Sequence, residues 1–333
     1  MTSFAAKVTG IEVAPEKWYL KKPFSFAGYR VESLDTVHVV VSDGTHQGQG
    51  EGVVPIVFDI TLDQTLALLT AARYDILAGQ DAAMICAAMP AGAARNALDC
   101  ALWDLHAKAT GKTVWELAGL APAPASLAVD QSIGLAAPEA MAAVAAASDH
   151  AVLKIKLDTV KVVERIAAIR SARPRVAIIV DANQSWTRAE LRHFAPALAE
   201  LGVKMIEQPL RSGRDEELSG LNLPVPIYAD ESCHTAADLQ RLAPLYDGIN
   251  IKLDKSGGLT EALALAKSAR KMGLGLMVGC MAGTSLSMAP AYVVASLCNW
   301  ADLDGPLLLA EDRPSPMVYR DGKLECFTPA LWG

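Results

Sequence analysis

Between residues 127 and 280, short runs rich in Val, Ile and Leu alternate with Ala/Leu-rich amphipathic stretches, and this rhythm constrains the fold more than any other feature of the chain. The apolar runs are LAVDQSI near 127, VLKIKL near 152, VAIIVD near 176, VKMIEQ near 203, PIYADE near 226, GINIKL near 248 and LGLMVGC near 274. Stretches such as VERIAAIRSA and EALALAKSARKM lie between them. Strand then helix, repeated every 22 to 26 residues or so, marks parallel βα units. Seven repeats, with no GxGxxG after the first strand, predict a (β/α)8-type barrel over an open doubly wound sheet.

Parallel strands covered on both faces read as nearly continuous apolar runs. Here five consecutive runs end in an ionisable residue: Lys156, Asp181, Glu207, Asp230 and Lys252, separated by 25, 26, 23 and 22 residues. A single strand-end Asp often only caps the next helix, and a single Lys snorkels to solvent. Five in phase, in the order base, acid, acid, acid, base, are hard to explain as capping. Barrel enzymes keep their chemistry at the carboxyl ends of the strands.

Three carboxylates converging on one rim repel one another, and a hard divalent cation relieves that repulsion. Oxygen-only ligands select Mg²⁺ over zinc or copper, one ion per subunit for Asp181, Glu207 and Asp230. Asn183 and Gln208, just past two of the acids, are placed to orient them, although ordinary loop hydrogen bonding explains both equally well. IKLD occurs twice, at 155–158 and 251–254, on what the count of repeats makes the second and sixth strands. Strands four apart in an eight-stranded barrel face each other across the axis. Lys156 and Lys252 therefore approach a central substrate from opposite sides, as a 1,1-proton transfer requires, with the metal stabilising the enediolate. In LKIKLD, Lys154 shares the inward face with Lys156, because strand side chains alternate.

Upstream, residues from about 6 to 56 carry antiparallel strand signals, with Ser-Asp-Gly as a turn, and residues from about 62 to 118 turn helical. The clearest helix has Ala94, Ala97, Leu98, Ala101, Leu102 and Leu105 at i, i+3, i+4 spacing. APAPAS at 121–126 punctuates the chain before the barrel. The net charge of −7, with no Lys/Arg-rich run, gives no footprint for nucleic acid or an anionic membrane. No charged leader precedes an apolar core at the N-terminus, and no apolar run is long enough to span a bilayer, so the expectation is a soluble cytoplasmic protein. The six scattered cysteines, never in CxxC spacing, are expected to be reduced thiols.

The strand-end order Lys-x-Lys, Asp, Glu, Asp, Lys resembles the muconate-lactonizing branch of the enolase superfamily. PAGAARNALDCALWDL (90–105), IVDANQSW, IEQPL, ADESCHT and NIKLDKSGGLTEALALA carry the resemblance over nearly the whole chain. It implies a modified TIM barrel, (β/α)7β, at 119–308, under an α+β capping domain formed by 1–118 and a returning segment, 309–333. It also implies Lys156 and Lys252 as acid/base catalysts, Lys154 as a helper near the enolate, and Asp181, Glu207 and Asp230 as Mg²⁺ ligands.

Asp302-Leu303-Asp304-Gly305-Pro306 is similar to the Asp-x-Asp motif with which dipeptide epimerases hold the substrate's α-ammonium group. Two carboxylates near the last barrel strand suit a free N-terminus. L-Ala-D/L-Glu, in murein peptide recycling, is the leading substrate that the resemblance implies, with Ser132 near the substrate backbone. Relatives specific for glutamate place an Arg where this chain has Gly28, so Arg30 is the candidate to bind the acidic side chain. Phe24, Phe26 and Tyr29 make the same loop apolar and leave room for another dipeptide.

An N-acylamino acid racemase, an o-succinylbenzoate synthase or a muconate cycloisomerase would use the same metal and lysines, but would gain nothing from Asp302 and Asp304. A Schiff-base aldolase would not need the three intervening carboxylates. A catalytically silent binding protein would not need every strand-end residue. The oligomeric state stays open, a homo-oligomer included.

Overall fold

In the computed structural model, residues 7–26, 28–58 and 60–333 are described. Ala6, in the first strand signal, and Ala27, in the loop after Pro23, lie outside them. Three antiparallel strands, β1 (Gly10–Phe26), β2 (Tyr29–Ser42) and β3 (Gln47–Val53), form the sheet anticipated at the N-terminus. The β2–β3 turn closes because Asp43 Oδ1 accepts from the amides of Thr45 and His46 at 2.8 and 2.7 Å. Helices α1 (Leu62–Leu77) and α3 (Ala93–Thr110) pack on this sheet, and α2 (Ala82–Ala88) packs against both helices.

The contact between β3 and α3 explains the sequence GQGEG. A Cβ on Gly48, Gly50 or Gly52 would stand 2.3, 2.2 and 2.1 Å from the carbonyl oxygens of Ala101, Ala97 and Ala93 respectively. Alternate residues of a strand advance about 6.6 Å and fourth residues of a helix about 6 Å, so glycines and alanines stay in step. Glycine is required here by close approach of two backbones rather than by its dihedral freedom.

The barrel sheet is β5 (Asp130–Ile133), β6 (Val152–Lys156), β7 (Ala177–Asp181), β8 (Val203–Glu207), β9 (Ile227–Ala229), β10 (Gly248–Lys252), β11 (Gly275–Gly279) and β12 (Trp300–Asp302), parallel and in sequential order. Lys156 and Lys252 thus sit on its second and sixth strands, as the repeat count predicted. LAVDQSI is divided rather than continuous: β4 (Ser126–Ala128) pairs with the hairpin β13 (Tyr319–Arg320)–β14 (Lys323–Glu325), and only β5 joins the barrel. The eighth strand, β12, is three residues in the polar context NWADLD and carries no strand signal of its own.

Leu153, Ile155 and Leu157 face outward and are buried among the surrounding helices, while Ile179, Met205, Tyr228 and Met277 fill the barrel interior below the site. Each fully buried aliphatic side chain stabilises this layer by about 1.5–3 kcal/mol. The second IKLD also fastens the two parts together: Asp254 accepts from the amide of Val53 at 2.9 Å and from Asn96 Nδ2 at 2.7 Å. Asp158, its counterpart in the first IKLD, stays within its own βα unit, accepting from the amide of Val160 at 2.8 Å and pairing with Arg165 of the next helix at 2.5 Å. The C-terminal segment returns to the N-terminal part, where Trp332 Nε1 donates to the carbonyl of Cys100 at 3.1 Å and the amide of Gly333 to Asp104 at 2.7 Å. All six cysteines are free thiols. Among the described residues no helix is long and apolar enough to cross a membrane.

Gly50→Ala is expected to destabilise the protein by roughly 2–3 kcal/mol, seen as a lower thermal midpoint. Gly10→Ala, whose Cβ would meet Ser42 Cβ at an ordinary 3.7 Å, serves as the near-neutral control.

Candidate active site

Strand register alone assembles the ionisable ring. Lys156 is in register with Asp181, Asp181 with Glu207, Lys252 with Gly279 and Gly279 with Asp302. Because neighbouring strand ends lie side by side, acids and lysines that are far apart in sequence come within bonding distance. Lys156 Nζ lies 2.6 Å from Asp181 and Lys252 Nζ 2.8 Å from Asp230. Lys154, completely buried, reaches Asp302 at 2.6 Å, Glu207 at 2.8 Å and Asp181 at 3.2 Å.

These pairs set the charge states. Burial alone would raise the carboxyls of Asp181 and Asp230, but the lysines beside them outweigh it: Lys156 and Lys154 hold Asp181 below the usual carboxylate range, and Lys252 and Lys255 hold Asp230 well below it. Burial would lower the ammonium of Lys154, which Asp302, Glu207 and Asp181 instead hold well above its ordinary value. The same contest raises Lys252, where Asp230 wins over burial. Glu207 goes the other way, pushed up to about 8 by burial and by the Asp181 charge.

Several side chains that the sequence reading did not select complete the ring. Lys255 donates to Asp230 Oδ1 at 2.7 Å, to the Asp230 carbonyl, and to the Asn250 carbonyl at 3.0 Å. Asn250 Nδ2 donates to Glu207 Oε1 at 2.6 Å. Glu231 is buried beside Asp230, and burial and that neighbour raise it to about 7. Strand alternation would have turned Glu231 away from Asp230, but β9 ends at Ala229 and the chain turns there. Gln208 acts as a brace, accepting from the amides of Asp230 at 2.8 Å and Ser232 at 3.1 Å. Asn183, at φ +40°, donates its amide to Asp181 Oδ1 at 2.8 Å.

The donor set fits a hard divalent cation. Asp181, Glu207 and Asp230 are all buried on adjacent strands, and Glu207 Oε2 accepts no aligned hydrogen bond although Lys154 lies near it. Glu231 Oε2 and Asn183 Oδ1 are likewise buried without partners near the same rim. Oxygen atoms alone, carrying surplus negative charge, suit magnesium rather than a softer metal.

A cleft opens over the ring. Lys156, Lys252, Asp230, Ser132, Asp302 and Asp304 line its floor, and the cap supplies an apolar roof that includes Phe24, Phe26, Val31, Leu34 and Ile56. Phe26 lies over Lys156, its ring centroid 5.6 Å from Nζ. The Ser132 amide donates to Asp304 Oδ2 at 2.7 Å. Arg30 lies elsewhere, in a neighbouring open cleft with Arg211 and Tyr29, its exposed side chain 3.5 Å from Glu32.

With two lysines on opposite strands beside a carboxylate ring, the relevant comparison is with enzymes that move protons at carbon. Residues 8–119 match the mandelate racemase/muconate lactonizing enzyme N-terminal domain, and residues 136–328 match the enolase C-terminal domain-like family. The chain belongs to this family. Among its curated relatives, an N-acetyl-D-glutamate racemase of Pseudoalteromonas sp. is 41% identical over 298 residues, 89% of this chain and 94% of that one. An L-Ala-D/L-Glu epimerase of Escherichia coli strain K12 is 40% identical over 318 residues, covering 94% and 98%.

Solved structures agree over almost the full length. An enolase family member from Agrobacterium tumefaciens with homology to dipeptide epimerases, solved with sodium and L-Ala-L-Glu, superimposes with a TM-score of 0.93 at 41% identity, covering 97% and 99%. A dipeptide epimerase from Methylococcus capsulatus, solved with Mg and L-Arg-D-Lys, gives 0.89 at 32% identity, covering 98% and 99%.

Gln208→Ala removes the side-chain oxygen that accepts from the buried amides of Asp230 and Ser232. If Asp230 holds Mg²⁺, the variant is expected to weaken Mg²⁺ binding roughly 10–100-fold by calorimetric titration.

Proposed function

We propose that this protein is a Mg²⁺-dependent dipeptide epimerase that inverts the α-carbon of the C-terminal residue by a 1,1-proton transfer. The observation that carries the reading is the placement of Lys156 and Lys252 on opposed strands, with a buried carboxylate ring between them and a second carboxylate pair, Asp302 and Asp304, lining the same cleft. Residues 1–118 and 309–333 act as the cap over a barrel of 119–308.

Asp181, Glu207 and Asp230 would hold the metal, whose positive charge makes the α-proton of a bound carboxylate more acidic. Lys156 removes that proton from one face and Lys252 returns one to the other, or the reverse for the opposite stereoisomer. Lys154, held by three carboxylates, supplies fixed positive charge where negative charge develops. Phe26 over Lys156 excludes water from that lysine, which keeps the proton in transit within the cleft. Asp302 and Asp304 take the free α-ammonium group, with Ser132 near the substrate backbone.

For the substrate, L-Ala-D/L-Glu is our leading choice, with murein peptide recycling in the cytoplasm as its setting; the 40% identical epimerase from Escherichia coli supports it. Arg30 stands outside the main cleft, so it would meet a glutamate side chain only at the mouth. A second reading, racemisation of an N-acetylated amino acid, is favoured by the 41% identical N-acetyl-D-glutamate racemase. The carboxylate pair separates the two, because an N-acyl group carries no positive charge.

Lys156→Ala and Lys252→Ala are each expected to abolish epimerisation while keeping α-proton exchange in deuterated water for one stereoisomer. Normal epimerisation by either variant would refute the two-base assignment. Asp304→Asn should reduce kcat/KM for free-amine dipeptides roughly 10–100-fold and leave N-acetylated substrates little changed. Equal losses on both would count against ammonium recognition.

A further inference from the structure

Beneath Asp302 and Asp304 lies a third carboxylate. Asp130 is two residues before Ser132 on β5 and therefore on the same inward face, one step deeper in the barrel. It is 1% exposed, and neither of its oxygens has a hydrogen-bond donor. One oxygen from each of Asp130, Asp302 and Asp304 lies within 4.8 Å of the others, and all three residues are buried.

The positive charge close by falls short of balancing them. Lys154 bonds to Asp302 and is shared with Asp181 and Glu207, and among the described residues the other donor to the trio is the uncharged Ser132 amide on Asp304. Lys156 and Lys252 act on Asp302 from a distance and are themselves paired with Asp181 and Asp230. Cys280 and Tyr319 face the same acids, and both are raised well above their ordinary values, by burial first and then by surrounding negative charge, so they stay neutral. Three buried carboxylates with part of one ammonium must take up either a proton or an external cation.

We propose that Asp130 completes a three-carboxylate cation seat, which holds a proton while empty and releases it to solvent when the substrate's ammonium group docks. This rests on the dipeptide reading above. A proton on Asp130 replaces the repulsion between two carboxylates with attraction between a carboxyl and the Asp302 carboxylate close beside it. Burial, then the charges of Asp302 and Asp304, raises Asp130 well above the usual carboxylate range, while burial and Asp302 raise Asp304 to about 7. An arriving ammonium reverses the balance: the carboxyl becomes a carboxylate, its proton leaves, and the incoming positive charge replaces it. Asp130 does not line the cleft and acts through its neighbours, so it is a positioning residue.

Sign follows directly. Since binding expels a proton, free-amine ligands bind more tightly as pH rises towards neutrality, until the ligand's own ammonium begins to deprotonate at about pH 8. N-acetylated ligands show no such dependence from this seat.

The test is calorimetric titration of the Mg²⁺-loaded enzyme near pH 6, in buffers of different ionisation enthalpy, with an equilibrated L-Ala-D/L-Glu mixture and with N-acetyl-glutamate. We expect the dipeptide to release about one proton per site and the N-acetyl ligand close to none. In Asp130→Asn the release should vanish and dipeptide affinity fall roughly tenfold; Asp130→Ser serves if that variant does not fold. Dipeptide binding without proton release by the native enzyme, or undiminished release in the variants, overturns the cation seat while leaving dipeptide epimerisation intact. A native enzyme that racemises N-acetylated amino acids and neither binds nor turns over dipeptides overturns both.

Discussion

Everything in this barrel depends on keeping like charges buried side by side at the strand ends. Asp181, Glu207 and Asp230 are fully removed from water on adjacent strands, and such a group of anions is stable only with cations held against it. Lys154, Lys156, Lys252 and Lys255 provide them, each from a strand or turn of the same ring. The opposing pull raises Lys154 and Lys252 and lowers Asp181 and Asp230.

The cap is attached through a second set of buried polar contacts. Asp254, two residues after Lys252, bonds to β3 and α3, so the segment that presents this lysine also anchors the cap. Glu51, between Gly50 and Gly52, accepts from Thr284 and Arg313 at 2.5 and 2.7 Å, tying the glycine-rich strand to the seventh strand's loop and the C-terminal segment. Because Gly48, Gly50 and Gly52 let β3 lie directly on α3, the loops that roof the cleft are referenced to a rigid base.

Much of this was legible from the chain. The phase of the βα repeats located the five strand-end residues, because a period of two within each strand and a steady spacing between strands leave little freedom in where they point. The glycine alternation was visible but not interpretable, since its partner is the alanine stripe of a helix some fifty residues away. Asp130 also carried a signal, the shared face of Asp and Ser in DQS, which had no meaning until the first and last strands came together. Glu231, Asn250 and Lys255 were missed because their roles arise from turns and cross-strand contacts rather than from a pattern along the chain.

The sequence by itself determined the barrel, the two opposed lysines and the three acids between them, because hydrophobic periodicity and charge placement are local properties that burial enforces. Tertiary structure alone decided which charges neutralise which, that Lys154 is shared among three carboxylates, that Arg30 sits outside the cleft, and that a third acid lies beneath Asp302 and Asp304. Those outcomes depend on distances of a few ångströms between residues remote in sequence, and electrostatic energy in a buried site changes steeply over such distances.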